Sequence, residues 1–383
     1  MRTVEPISVT DRSTAPTVVE IDLSAIAHNA RLVQKMAAPA SVMAVVKADA
    51  YGHGAVRVSR KLVEEGIDYF AVATLAEAEH LRKHDIREPM LVMAAPLPGS
   101  LPAYRKLGVD VNVCSPAIAR EVLATADPSA PLHIHVKVDT GMSRLGLMPE
   151  EAPDILSELQ AAPGVHVSGL WSHYATADSA SDTFSKEQLA IFDDIVRTLK
   201  PPYPMLHIGH SSGIFSDRVT SKLMRSFNTY VRPGISLYGV ASSTGEPTPA
   251  ELKPAMRFLS RITQIKDIPT GTTVSYGRTW TATQHTRLAI VGAGYADGYP
   301  RALSNRGRVG IDGGLYPVVG RVCMDMIMIN LGKPTKAPPV APGDEVVLFG
   351  PGGPSLTDVA SWADTIPYEL CSRIGLRVPK LHI

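Results

Sequence analysis

The stretch SVMAVVKADAYGHGAVRVSRKLVEEGIDYFAVATLAEAEHLRKH, residues 41–84, decides the fold class. An apolar run, Ser41–Ala48, leads into an amphipathic segment, Ala55–Glu65. A second run, Tyr69–Thr74, leads into a second amphipathic segment, Leu75–His84. Short runs rich in Val, Ile and aromatics and bounded by turn residues suit parallel strands buried on both faces. The segments of helical period between them suit crossover helices. The same alternation continues outward through Met90–Ala94, Val109–Cys114, Leu132–Asp139, Val165–Tyr174, Met205–His210 and Tyr230–Gly239, which brings the runs to eight. Amphipathic segments Pro116–Ala126, Glu150–Ala161 and Ser185–Lys200 separate several of them. Eight such units predict a (β/α)8 barrel over residues 18–240. A doubly wound open sheet uses the same alternation, so both architectures stand at this point.

Upstream, residues 1–17 form a polar arm, expected to pack with the C-terminal domain. Val18–Leu23 is predicted extended, with Ser24 as N-cap of a helix to about Met36. Downstream the alternation stops near Val240. ASSTGEPTPAELKP, residues 241–254, is polar and rich in Pro and Ser, which predicts a linker. Beyond it come short strand-like runs separated by turn residues: Ala255–Ile268, Arg287–Gly292, Arg308–Ile311, Tyr316–Cys323, Met326–Leu331 and Glu345–Leu348. Residues 255–383 therefore read as a mainly β domain.

The 383 residues exceed what one core usually supports, consistent with two domains. A formal net charge of +1, with both signs mixed along the chain, argues against nucleic-acid or membrane-surface partners. Three cysteines share no metal-type spacing, and no basic start precedes an apolar core at the N-terminus, so a reduced, cytoplasmic chain is expected. No run approaches the ~18–20 apolar residues of a membrane span.

In a barrel enzyme, chemistry gathers where strands end. The first run ends in Val46-Lys47-Ala48-Asp49-Ala50-Tyr51-Gly52-His53. A lysine within an apolar strand either snorkels out, or bridges to Asp49, or is a Schiff-base lysine with a depressed pKa. His207 with His210, and His133 with His135, lack a carboxylate or cysteine partner at ligand spacing, so no metal site is expected.

AVVKADAYGHGA at 44–55 resembles the pyridoxal 5′-phosphate (PLP) lysine signature of alanine racemases. HVKVDTGMSRLG (135–146), SHYATAD (172–178), YVRPGISLYG (230–239), VSYGRTW (274–280), GYADGYPR (294–301), GRVCMD (320–325) and TIPYELC (365–371) resemble that family's blocks, in its order. The resemblance spans nearly the whole chain. It implies a barrel followed by a β domain that completes the partner subunit's site in a head-to-tail homodimer. The implied activity is interconversion of L- and D-alanine, supplying D-alanine for peptidoglycan. A serine or broad-specificity racemase would use the same machinery, and a non-catalytic PLP-binding barrel is disfavoured by the C-terminal domain.

Carried onto this sequence, the resemblance implies that Lys47 holds PLP and serves one face of the substrate, with Tyr276 as the base on the other. His173 takes the place of a histidine that bonds the tyrosine. Arg232 would contact the pyridine nitrogen; a guanidinium, unable to give up its proton, would leave that nitrogen unprotonated. Arg144 would meet the cofactor's phenolic oxygen and the substrate carboxylate. Lys137 matches a lysine that is carbamylated in many members; pairing with Asp139 is the alternative. Tyr51, Ser211, Tyr368 and the backbone of Gly234 and Ile235 would hold the phosphate. The backbone of Met324 would meet the substrate carboxylate, and Asp178, Tyr295, Arg301 and Arg321 would line the substrate corridor. His210 departs from the family, which has Asn there.

Overall fold

The structure, a computed structural model, describes residues 15–179, 181–202, 204–214, 223–241 and 251–383. It falls into two compact units, one built on Ile26–Leu237 and the other on Lys253–Ile383 together with the chain up to Ala25. Most of the predicted linker, and residues 1–14 of the arm, lie outside the described residues.

In the first unit, strands β2 (Ser41–Val45), β3 (Tyr69–Val72), β4 (Met90–Val92), β5 (Asp110–Val113), β6 (Leu132–Lys137), β7 (Val165–Trp171), β8 (Met205–His210) and β9 (Thr229–Arg232) close a parallel barrel. Pairing of Ser41 with Tyr230 and Val42 with Val231 joins the last strand to the first, which settles the choice in favour of the barrel over the open sheet. Helices cross between them at Ala55–Glu64, Leu75–Lys83, Leu101–Leu107, Pro116–Ala124, Ala152–Ala161 and Phe184–Val196. The Leu75 helix starts with a full capping box, Thr74 accepting from Glu77 N and Glu77 reaching back to Thr74 N.

Several strands stop short of the predicted runs because the chain turns into the barrel mouth. Ser41–Ala48 ends as a strand at Val45, and Tyr230–Gly239 ends at Arg232, where Pro233 removes a ladder donor and Ile235–Tyr238 coils into a 3-10 turn.

The second unit is mainly β. Strand β10 (Met256–Ile268) is its spine. It pairs with β1 (Val18–Ile21), with Thr286–Val291 and with Glu345–Phe349, all antiparallel, and Lys380–His382 closes against β1. Val18–Ile21, placed at the start of the barrel by sequence, is thus a strand of this sheet. Its burial on both sides gives it the same continuous apolar look as a barrel strand. The described end of the arm packs there too, with Thr17 Oγ1 donating to Gly292 O at 2.7 Å. The helix that follows runs Leu23–Ala37, and Asp22 rather than Ser24 caps it, its Oδ1 accepting from Ser24 N at 2.8 Å and Ala25 N at 2.9 Å. Among the described residues no helix is long and apolar enough to cross a membrane.

Candidate active site

Lys47 stands where β2 gives way to a backbone that ordinary residues avoid. Ala48, Asp49, Ala50 and Tyr51 all have φ between 51° and 54°, a left-handed turn without glycine. Each such residue is disfavoured by roughly 1–2 kcal/mol, so the surroundings must hold the turn in place. They do: Glu77 Oε1 accepts from Ala48 N at 2.6 Å, Asp49 Oδ1 accepts from Ala55 N at 2.7 Å, and Ala50 N donates to Val46 O. Gly52, at φ 81°, carries the chain out. The result is a fixed origin for the Lys47 side chain, with the Tyr51 ring buried four residues on.

Burial, with the charges of Arg144 and Arg232, lowers the Lys47 ammonium from its ordinary range, while Glu77 opposes the shift. A lysine so placed is nearer its nucleophilic, neutral form. Arg144 itself sits on the exposed loop after β6.

Arg232 ends β9 and is 2% exposed. Its Nη1 donates to Nδ1 of His207 at 2.6 Å and to His207 O at 2.8 Å. Nη2 donates to Ser172 O at 2.7 Å and reaches Nδ1 of His173 at 3.2 Å. The guanidinium lies 4.7 Å from the centre of the Trp171 ring. Burial pushes its pKa down to about 9.

His173 follows β7 and is half-buried. Burial, His210 and Arg232 hold it well below the ordinary histidine range, so it is neutral. Its Nδ1 faces the Arg232 donor, which puts the proton on Nε2. His210 stacks on His173 with ring centres 4.8 Å apart, and burial pushes it down to about 4. The imidazole standing where the family has Asn is therefore an uncharged plate under His173.

Lys137, 1% exposed, is the inner end of β6. Burial and Arg232 push its pKa down to about 8. Its Nζ donates to Leu145 O at 2.5 Å and lies 5.0 Å from the Trp171 ring centre. Asp139, the ionic partner in the alternative reading, accepts from the amides of Gly141 and Ser143, at 2.9 and 3.0 Å.

Ser211 Oγ accepts from Gly234 N at 2.9 Å and Ser236 N at 3.4 Å, and lies 3.0 Å from Ser236 Oγ. A Cβ on Gly234 would stand 2.4 Å from Tyr51 Oη. Ile235 follows, wholly buried.

The remaining predicted residues belong to the second unit. Tyr276 opens a short turn and is 71% exposed. Ser275 precedes it at φ 66° and donates through Oγ to Arg321 O at 2.7 Å. Met324 is exposed, and its carbonyl accepts from Ala296 N at 3.0 Å. Tyr295 and Arg301 line one cleft of about 540 Å³. Tyr368 lies in the helix Pro367–Ser372. Asp178, in the first unit, is exposed on the loop after β7.

Sequence reasoning missed the partners inside the barrel: Tyr69, Asp110, His135, His207 and Trp171. Local spacing in the sequence shows His135 and His207 only as candidate metal ligands. The signal was there in another form, as polar residues at interior positions of otherwise apolar strands, where a polar group without a partner is costly.

Taken together, a barrel whose mouth holds a depressed lysine, a buried arginine and a hydroxyl-and-amide cradle defines a cofactor-dependent enzyme of the Schiff-base class. The family is equally clear. A family model described as alanine racemase, N-terminal domain, matches residues 21–242, and one described as alanine racemase, C-terminal domain, matches 255–382. The alanine racemase of Chlorobaculum tepidum is 38% identical over 95% of this chain and 94% of its own. The structure superposes on alanine racemase from Streptomyces coelicolor with a TM-score of 0.87 at 35% identity, covering 96% of this chain and 98% of that one. The Bartonella henselae alanine racemase, solved with covalently bound pyridoxal phosphate, gives 0.87 at 30% identity, covering 96% and 100%. This chain belongs to the alanine racemase family.

The residues fit that cofactor. Lys47 Nζ suits an aldehyde, and Ser211 Oγ with the amides around Gly234 suits a phosphate. The absent side chain of Gly234 leaves room for close approach beside Tyr51 Oη.

Proposed function

We propose that this protein interconverts L- and D-alanine with Lys47 and Tyr276 as bases on opposite faces of the α-carbon. The observation that carries it is Lys47 itself: a lysine on a rigid left-handed turn, its charge disfavoured by burial and by two arginines. When bound, pyridoxal phosphate supplies the electron sink that makes the α-proton of the amino acid removable.

The chain's own groups do the rest. Lys47 Nζ, its pKa lowered by burial and by Arg144, takes and returns the proton on one face. Tyr276 Oη serves the other face. A free tyrosine has a pKa near ~10, so it needs a donor to stabilise its anion. His173, neutral with its proton on Nε2, is the donor proposed for that role. Arg232 would face the ring nitrogen, Arg144 would hold the substrate carboxylate, and Ser211, Tyr51, Tyr368 and the Gly234–Ile235 backbone would hold the phosphate. Met324 would contribute its backbone to the substrate, and Asp178, Tyr295, Arg301 and Arg321 would line the substrate's path. The exposure of Tyr276 and Met324 supports a head-to-tail homodimer in which each subunit completes its partner's site. A cytoplasmic enzyme supplying D-alanine to peptidoglycan is the cellular role proposed.

Deuterium exchange at the α-carbon, measured separately for each isomer, tests the pair of bases. Tyr276→Phe should lose exchange from one enantiomer, L-alanine by analogy with the family, and keep it from the other. Equal loss from both in the first turnover would favour a single base. Product chirality across alanine, serine and larger amino acids fixes the substrate.

A further inference from the structure

Arg232 is a buried cation, 2% exposed, and among the described residues the groups it bonds directly are neutral. Its hydrogen bonds go to the carbonyls of His207, Ser172 and Ile208 and to two imidazoles. A buried charge without an opposite charge is strongly disfavoured, so the counter-charge has to be sought further off. It lies across the barrel, at the end of an unbroken chain of hydrogen bonds. His207 Nε2 is 2.8 Å from Nδ1 of His135, and His135 Nε2 is 3.0 Å from Oδ2 of Asp110. Tyr69 Oη bonds the same carboxylate oxygen and stands 2.9 Å from His135 Nε2. His135 and His207 are wholly buried, and Asp110 is 7% exposed.

The direction of this chain follows from one fact of donor chemistry. A guanidinium has donors and no acceptor, so His207 Nδ1 must offer a lone pair to Arg232. Neutral His207 then carries its proton on Nε2 and donates it to His135 Nδ1. His135 in turn carries its proton on Nε2 and donates to Asp110, which only accepts. Doubly protonated His135 would point an N–H at the N–H of His207, so the ring is held neutral. Burial raises the Asp110 carboxyl, while the bonds that His135 and Tyr69 donate to it favour the carboxylate. Every proton in the chain therefore points from the cation to the anion: Arg232 to His207 to His135 to Asp110.

We propose that Asp110 is the counter-ion of Arg232, a positioning residue that acts through neutral His135 and His207 to hold the guanidinium charged at the barrel mouth. Its effect on the reaction rests on the reading above, in which Arg232 faces the ring nitrogen. The chain itself does not rest on that reading. Asp110 stands at the opposite mouth of the barrel, beside a cleft of about 580 Å³ that Tyr69, His133 and His166 also line. The site is thus tuned from the face away from the substrate.

The wild-type holoenzyme, labelled with ring-¹⁵N histidine, gives the first test by nuclear magnetic resonance. His135 and His207 should both be neutral with the proton on Nε2. A proton on Nδ1 of either ring, or on both nitrogens, would overturn the chain. The second test is Asp110→Asn, which keeps an acceptor for His135 and removes only the charge. For the holoenzyme we expect kcat to fall about tenfold to hundredfold in both directions, with KM for alanine within about threefold and the His207 Nδ1 resonance displaced. Unchanged kcat, or a loss of kcat matched by lost cofactor and raised KM, would reduce Asp110 to a structural group and overturn the proposal. If the variant does not fold, the wild-type spectrum decides. Absence of α-deuterium exchange in the wild-type enzyme would instead contradict the racemase reading, leaving the proton positions to be judged by the spectrum alone.

Discussion

Arg232 Nη1 lies 2.6 Å from Nδ1 of His207, a donor that cannot accept facing a ring nitrogen that must. The contact fixes the state of a buried imidazole without any measurement of its titration, and it has consequences for stability. His207, His173 and His210 are all held below the ordinary histidine range, first by burial and then by neighbouring charge.

Stability should therefore fall as the solution is acidified. Above about pH 6.5 these rings are neutral in both folded and unfolded chains and contribute nothing to the pH dependence. Below it the unfolded chain takes up protons that the folded chain refuses, and stability is lost until the folded value is reached. For His210, half-buried and pushed down to about 4, that window is worth up to ~3 kcal/mol, less the solvent screening of a partly exposed residue. Urea unfolding of the holoenzyme at pH 7.5 and pH 5 should show the drop. His210→Asn should make it smaller, and a drop as steep as wild type would contradict the assignment.

Gly234→Ala should weaken cofactor binding. The added Cβ would stand 2.4 Å from Tyr51 Oη, so the ring or the backbone must move where the phosphate is proposed to sit. A loss of about tenfold in affinity, roughly 1.4 kcal/mol, is expected from titration of apoenzyme with pyridoxal phosphate. Unaltered affinity would remove Gly234 and Tyr51 from the phosphate site.

Lys137 should carry a carbamate. With its pKa pushed down to about 8, a fraction of the amine is neutral at pH 7.5 and able to add carbon dioxide. The product turns a cation into an anion beside Arg232 and Arg144, and gives the Arg144 guanidinium two oxygens to bond. ¹³C resonance of enzyme equilibrated with labelled bicarbonate should show a carbamate carbon that disappears in Lys137→Ala. Short carboxylates such as acetate should partly restore that variant's activity. A spectrum without the signal, with Nζ still on Leu145 O in crystals grown with bicarbonate, would exclude the modification.

The barrel was legible because parallel strands buried on both faces are written as continuous apolar runs, and eight of them in alternation with helical segments admit few architectures. The same property misplaced Val18–Ile21, which is equally buried but in the other unit's sheet. Lys47 was legible because a lysine in an apolar run needs a reason. The left-handed turn that aims it was not, since Ala48, Asp49, Ala50 and Tyr51 carry no glycine signal and are held by Glu77 and Asp49 through distant amides. The chain from Arg232 to Asp110 joins strands β9, β8, β6 and β5, and each residue taken alone reads as an ordinary polar intrusion.

Everything proposed for this site depends on Lys47 as the residue that holds the cofactor. Borohydride reduction of the purified holoenzyme, followed by peptide mapping, tests that directly. The reduced pyridoxyl group should be recovered on the peptide containing Lys47, and Lys47→Ala should yield no such adduct and no racemisation in either direction. Recovery of the adduct on Lys137 or any other lysine would contradict the assignment.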